Sequence, residues 1–327
     1  MLAVGPNGAG KTNLLEALHV GTQGFSPRTR TDAQLIRFGE TAARVELRGE
    51  RDGAPVELQV TLRLNEGKRA LLNGSRLGAA EQLRSEVATL VFTPDRLAVV
   101  KGGPAARRAY FDRVVGRLSP ARAGLSAEYG AAVAQRNASL RRVASGFSSR
   151  DALAPWTERI AELGARLVDA RVRAIGELAP LFAERAEELG LPSGQLEYAG
   201  DPPSRDALEA RIDRDLERGV TGLGPHLDDV TIASGSRDLR MFGSQGEQRL
   251  AVLSLLLAEY ELLAASGRTP LLLLDDVLSE LDERRRGILA ELIRSSGQTF
   301  VTATSADALP SVPDQLIEVS PGAARVA

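Results

Sequence analysis

GPNGAGKT, residues 5–12, is the stretch that decides the fold. It satisfies the spacing G-x-x-x-x-G-K-[ST], with Gly5, Gly10, Lys11 and Thr12 at the fixed positions. Glycine accepts backbone conformations that a Cβ blocks. The loop through Pro6, Asn7, Gly8 and Ala9 can therefore turn successive N–H groups toward one phosphate. Lys11 offers a point charge to the outer phosphates, and the Thr12 hydroxyl is a ligand for Mg2+. Residues 13–20 (NLLEALHV) read as a helix whose positive end, beginning at Asn13, faces those phosphates. Leu2, Ala3 and Val4 supply only the end of a strand before the loop.

Such a loop needs a buried acid-tipped strand beside it, and LLLLDDVLSELD (residues 271–282) provides one. Four apolar residues running into an acid form the Walker B arrangement. Asp275 is predicted to hold Mg2+ through its water shell, and Asp276 to orient the attacking water as a base. Adjacent buried carboxylates repel each other unless a cation sits with them, so a purely structural pair is disfavoured. ATP and Mg2+ are the expected cofactors.

The remaining composition excludes much. The 327 residues contain no cysteine and two histidines, His19 and His226, which rules out thiol catalysis, disulfides and the usual zinc sites. No basic segment followed by an apolar one opens the chain, and no apolar run is long enough to span a bilayer. A soluble cytoplasmic protein without membrane partners is expected. Net charge is −2, but residues 96–150 hold eleven basic and two acidic residues, a local charge of +9. Either a polyanion partner or an arginine-rich solvated helical surface accounts for that asymmetry.

Period-2 alternation marks strands at residues 43–50 and 55–64, with a hairpin turn at Asp52-Gly53. Residues 68–73 and 87–92 add short strands. From residue 104 the pattern becomes helical, over 104–118, 121–143, 151–188 and 204–218. Short strands are predicted at 230–233 and 239–242, a long apolar helix at 245–265, and buried strands at 271–274 and 299–303. The sheet-forming segments lie at the two ends and the helices between them. The fold expected is α/β, a P-loop ATPase head with a mixed sheet. Residues 1–95 and 225–327 form one discontinuous domain, and residues 96–224 an inserted helical lobe.

FGSQGEQR, residues 242–249, opens the long apolar helix, with Ser244 as N-cap and Glu247 at the capping-box position. The same helix start, with Gly246 in its first turn, is also a place for a phosphate. S-Q-G-E-Q resembles the signature motif of ABC-type ATPases, and S-E-L-D, residues 279–282, resembles their D-loop. That resemblance implies a head-to-tail homodimer formed on ATP binding. Ser244, Gln245 and Gly246 of one subunit would then close over the γ-phosphate held by the other, with Asp282 at the seam.

Further stretches resemble the RecF family: GPHLDD (224–229), VFTPDRLAVVKGGPAARRAYFD (91–112), QRNASL (135–140) and RTRTDAQLIRFGE (28–40). This likeness implies an SMC-like head without long arms. It also implies binding to DNA at gapped or single-strand/duplex junctions, and action with RecO and RecR in loading RecA. Under it Arg107, Arg108, Arg136, Arg141 and Arg142 become candidates for DNA-phosphate contacts, which give affinity without sequence specificity. Asp276 stands where ABC enzymes usually carry Glu, so turnover is expected to be slow, stimulated by DNA, and used as a switch. Leu227 stands where the family commonly has Arg. The resemblance also implies about two strands before the phosphate loop, and a form extended at that end is expected to bind ATP more tightly.

A transporter ATPase subunit is the competing reading. It calls for a Q-loop glutamine and a switch histidine. Asp95 and Thr304 stand near those positions instead. A small-molecule P-loop kinase would not need a signature acting in trans. A DNA scaffold that binds ATP without hydrolysing it stays open.

Overall fold

Residues 2–4, the short strand before the glycine loop, find their neighbours at the far end of the chain. In the computed structural model, which describes residues 1–29, 31–51, 53–294 and 297–327, Leu2–Val4 pairs in parallel with Thr299–Ala303 on one side and Leu316–Ser320 on the other. Leu271–Leu274 follows beside Thr299–Ala303, and Thr89–Phe92 beside Leu271–Leu274, again in parallel. Ala323–Val326 closes the opposite edge in antiparallel register. Leu2–Val4, Thr89–Phe92, Leu271–Leu274 and Thr299–Ala303 are short buried runs without polar alternation because both faces are covered, whereas Leu316–Ser320 alternates and Ala323–Val326 is exposed. Ala3, Val91, Leu273 and Phe300 from the sheet pack with Leu15 of the helix Lys11–Gln23 in one core cluster.

A second sheet carries the alternating segments. Ala42–Arg51, Ala54–Arg63, Gly67–Leu72 and Ser75–Arg76 pair antiparallel in sequence order. Leu58, Val60 and Leu62 face inward, packing with Val20 of the first helix and with Leu83. The predicted turn at Asp52-Gly53 lies partly outside the described residues, since Asp52 is not among them.

The chain groups into two compact units. Met1–Arg96 with Leu263–Ala327 forms the first, and Leu97–Leu262 the second. The sequence pattern assigns residues 225–262 to the ATPase segments. Packing instead groups them with the helices, because Asp229–Ser234 pairs antiparallel with Gly194–Ala199. That partner strand carries only a weak alternation and was not predicted.

Within the second unit, Leu125–Ala144 and Pro104–Leu118 pack on the 35-residue helix Ala154–Glu188. The helix expected over 204–218 divides into Arg205–Glu209 and Ile212–Arg218. The strand predicted over 239–242 is instead a turn of helix, Leu239–Phe242. Four apolar-rich residues carry no decisive period. The Asp238 side chain decides it by accepting the Arg240 N–H at 2.8 Å as an N-cap. The helix Gln245–Ala265 begins and ends where its pattern predicts.

Candidate functional site

Leu2–Val4 delivers the chain to the phosphate loop, where Gly8 and Gly10 take φ values of 81° and 105°. Those left-handed values suit glycine, and a Cβ at either would meet no heavy atom within 4 Å, so the strain is conformational and the space is open. Gly5 is fixed for a different reason: a Cβ there would sit 2.3 Å from the Val319 carbonyl oxygen. Gly10 is the N-cap of the helix Lys11–Gln23, with no capping side chain and no acid in the first turn. The positive end of that helix is left for an anion.

Lys11 is 8% exposed and folds over its own loop, its Nζ donating to the carbonyls of Gly5 at 2.8 Å and Pro6 at 3.1 Å. A phosphate competes well with neutral carbonyls for an ammonium, because charge-assisted bonds are the stronger ones. Thr12 Oγ1 donates to Asp275 Oδ1 at 3.0 Å. Thr302 Oγ1 donates to the same oxygen at 2.8 Å, and accepts the Asp276 N–H at 2.9 Å. Asp276 stands at φ 50°, so the chain turns sharply as it leaves the Walker B strand.

A hydroxyl and a carboxylate side by side are hard oxygen donors of the kind Mg2+ takes. Among the described residues no cluster of three or more His, Cys, Asp or Glu could hold a metal by protein ligands alone. A sparse site completed by phosphate and water oxygens is the Mg2+ pattern. The residues present therefore fit a magnesium-bound triphosphate.

Ser244, Gln245 and Gly246 are exposed on the second unit. Ser244 and Glu247 form a reciprocal capping box: the Ser244 N–H donates to Glu247 Oε2 at 2.8 Å, and the Glu247 N–H to Ser244 Oγ at 3.2 Å. Asp282, exposed on the first unit, caps the helix Glu283–Arg294 by accepting the Arg285 N–H at 2.9 Å. Asn7 and Asn13 are exposed, and Ala9 is buried.

The five candidate arginines separate sharply. Arg136 is 0% exposed, donating to Asp215 Oδ2 at 2.7 Å and to the Thr221 hydroxyl at 3.0 Å. Arg107 is 4% exposed and makes a bidentate pair with Asp229, both bonds 2.7 Å. Neither can reach a nucleic acid, which corrects the expectation for those two. Arg108 is half-buried and donates to the Asp228 carbonyl at 2.7 Å. Arg141 and Arg142 are exposed near the end of Leu125–Ala144. Much of the local charge of +9 is thus neutralised by acids from later in the chain, Glu259 against Arg117 included.

GPHLDD takes one of those ion pairs and is tied to three helices. Arg107 of the helix Pro104–Leu118 holds Asp229. Tyr129 of Leu125–Ala144 meets His226 Nδ1 at 2.9 Å, and Arg171 of Ala154–Glu188 donates to the Pro225 carbonyl at 2.7 Å. Arg171 also makes a bidentate pair with Asp112 at 2.8 and 3.0 Å. Tyr198 donates to Asp228. Burial raises the Asp229 carboxyl, but the Arg107 bonds and the Val230 N–H outweigh it and hold Asp229 below its ordinary value. Burial pushes His226 down and Tyr129 up. This network, and Thr302, were missed in the sequence. The only signal for Thr302 was a hydroxyl inside a buried strand, a signal that Thr299 of the same strand shares.

The RecF/RecN/SMC N-terminal domain model matches residues 1–326. The DNA replication and repair protein RecF of Heliobacterium modesticaldum is 35% identical, over 96% of this chain and 88% of its own length. The chain belongs to the RecF family. The RecF of Anaeromyxobacter dehalogenans is 41% identical, over 92% of this chain and 85% of its own length. A solved structure of the recombination mediator protein RecF with ATP superposes with a TM-score of 0.86 at 29% identity, covering 100% of this chain and 91% of that one. The head of an Smc protein, bound to the C-terminal winged-helix domain of ScpA, superposes at 0.59 with 18% identity and shares the fold. This RecF-family chain therefore has the ABC-like ATPase head fold expected from its two nucleotide motifs. Among its described residues no helix is long and apolar enough to cross a membrane.

Proposed function

We propose that this chain is an ATP-gated DNA-binding protein of recombinational repair. One observation carries the reading: Thr12 and Asp275, from the two nucleotide motifs, are joined by a hydrogen bond of 3.0 Å, which puts a hydroxyl and a carboxylate, two hard oxygen donors, side by side. A Mg2+ held there would supply positive charge against the phosphates. The loop N–H groups and Lys11 hold the triphosphate, Thr12 and Asp275 orient the metal's ligand sphere, and Asp276 positions water for slow hydrolysis.

ATP then acts mainly as a clamp. Ser244, Gln245 and Gly246 of one copy close over the nucleotide of a second copy, with Asp282 at the seam. Arg141 and Arg142 give salt-sensitive contacts to DNA phosphates at a gapped or single-strand/duplex junction. The family relationship supports work with RecO and RecR in loading RecA.

Fluorescence anisotropy on a short gapped duplex, with ATP and with ADP at two salt concentrations, tests this. Tighter binding with ATP that weakens with salt is expected. Equal binding with both nucleotides would refute the clamp.

A further inference from the structure

The strand Thr299–Ala303 is buried along its whole length, and Thr302 within it is 0% exposed. Most buried hydroxyls are hydrogen-bonded, and in this strand the Thr302 hydroxyl is, while that of Thr299 has no partner among the described residues. The Thr302 hydroxyl is bonded on both sides. It donates to Asp275 Oδ1 at 2.8 Å and accepts the Asp276 N–H at 2.9 Å. A hydroxyl has a single donor, and here it is committed to the Walker B carboxylate.

Two consequences follow from those bonds. Thr12 and Thr302 both donate to Oδ1 of Asp275, so the carboxylate cannot rotate about Cβ–Cγ without breaking one of them. Neither bond uses Oδ2. The peptide of Asp276 is held as it enters φ 50°, a region that residues other than glycine occupy sparsely. One buried hydroxyl therefore sets both adjacent acids, and the N–H···O–H···O− chain polarises in a low-dielectric surrounding.

We propose that Thr302 is a positioning residue of the nucleotide site, holding Asp275 for the metal and presenting Asp276 to the water. The inference rests on the MgATP reading. Valine at this position keeps the volume. It leaves Asp275 with the Thr12 hydroxyl alone of the two and strips the Asp276 N–H of its acceptor. Serine keeps both bonds.

Three measurements on the full chain test it: Mn2+ affinity in the presence of ADP by paramagnetic resonance, affinity for a fluorescent ADP in EDTA, and single-turnover ATP hydrolysis. Thr302→Val is expected to weaken Mn2+ binding about tenfold, as lost outer-shell partners of metal ligands do. It should also slow hydrolysis and leave ADP binding in EDTA unchanged, and Thr302→Ser should restore both losses. If Thr302→Val melts early, Thr302→Cys, which replaces the hydroxyl with a weak donor, takes its place with the same expectation. A valine variant that binds Mn2+ as the wild type does, or a serine variant that fails to rescue, overturns the inference alone. A wild type that binds neither ADP in EDTA nor Mn2+ with ADP overturns the MgATP reading, and this inference with it.

Discussion

Thr12 Oγ1 and Asp275 Oδ1 meet at 3.0 Å although 263 positions separate them in the chain. The contact exists because Leu2–Val4 and Leu271–Leu274 both border Thr299–Ala303 in parallel register, so their C-terminal ends emerge together. Asp275→Asn keeps the shape and removes the charge. Nucleotide affinity measured with Mg2+ is expected to fall about ten- to a hundredfold, while affinity in EDTA stays the same. Calorimetric titration under both conditions checks this, and an equal loss in each would assign Asp275 a structural part instead.

Asp276 follows on the same turn, its backbone held by Thr302 and its carbonyl accepting from Ser279 at 2.9 Å. Its side chain is one methylene shorter than a glutamate, and in the proposed mechanism it would reach less far toward the attacking water. Asp276→Asn is expected to lower the single-turnover rate by about a hundredfold or more, with ATP binding preserved. A rate equal to the wild type would favour a scaffold that binds ATP and hydrolyses it by no carboxylate at this position.

Arg136 and Arg141 lie five residues apart on one helix and should behave oppositely. Arg136→Ala strands Asp215, itself 1% exposed, without its countercharge. A loss of about 3–5 kcal/mol in denaturant unfolding is expected. Arg141→Ala and Arg142→Ala remove exposed charges and should change stability by less than about 0.5 kcal/mol. Each should reduce the slope of log affinity against log salt on DNA by about 0.9. An unchanged slope in both would move the DNA face elsewhere.

The contrast between those arginines shows where sequence reading stops. Spacing on a helix identifies charge but not its partner, and Asp215 stands 79 positions from Arg136. The same limit hid the ties of GPHLDD to three helices. The nucleotide site was legible because its constraints are local: glycines at positive φ, a helix start after them, and a strand apolar on both faces before an acid. The turn of helix at Leu239–Phe242 was read as a strand because so short a run fits either period, and only the Asp238 cap decides between them. Thr302 was invisible for a related reason. Its meaning lies in the two residues that strand pairing brings beside it.

His226 gives the remaining prediction, on pH. Its Nε2 lies 2.9 Å from the Thr221 carbonyl, which can only accept, so Nε2 carries the proton. Nδ1 then accepts from the Tyr129 hydroxyl at 2.9 Å. Protonating Nδ1 would end that bond and require the Tyr129 hydroxyl to turn and accept instead. Burial, the largest influence, already holds the imidazole below its ordinary value of 6.5. The Thr221 carbonyl and the nearby carboxylates of Asp228 and Asp215 oppose that shift, and Arg108 adds to it. A depressed value in the folded state means that the unfolded chain binds the proton first. The stabilisation is therefore complete above about pH 6.5 and declines as pH falls below it. The melting temperature should drop between pH 7.5 and 5.5, and His226→Gln, which does not titrate, should drop less over the same interval. Parallel declines in the two proteins would show that His226 contributes nothing to the acid sensitivity of this unit.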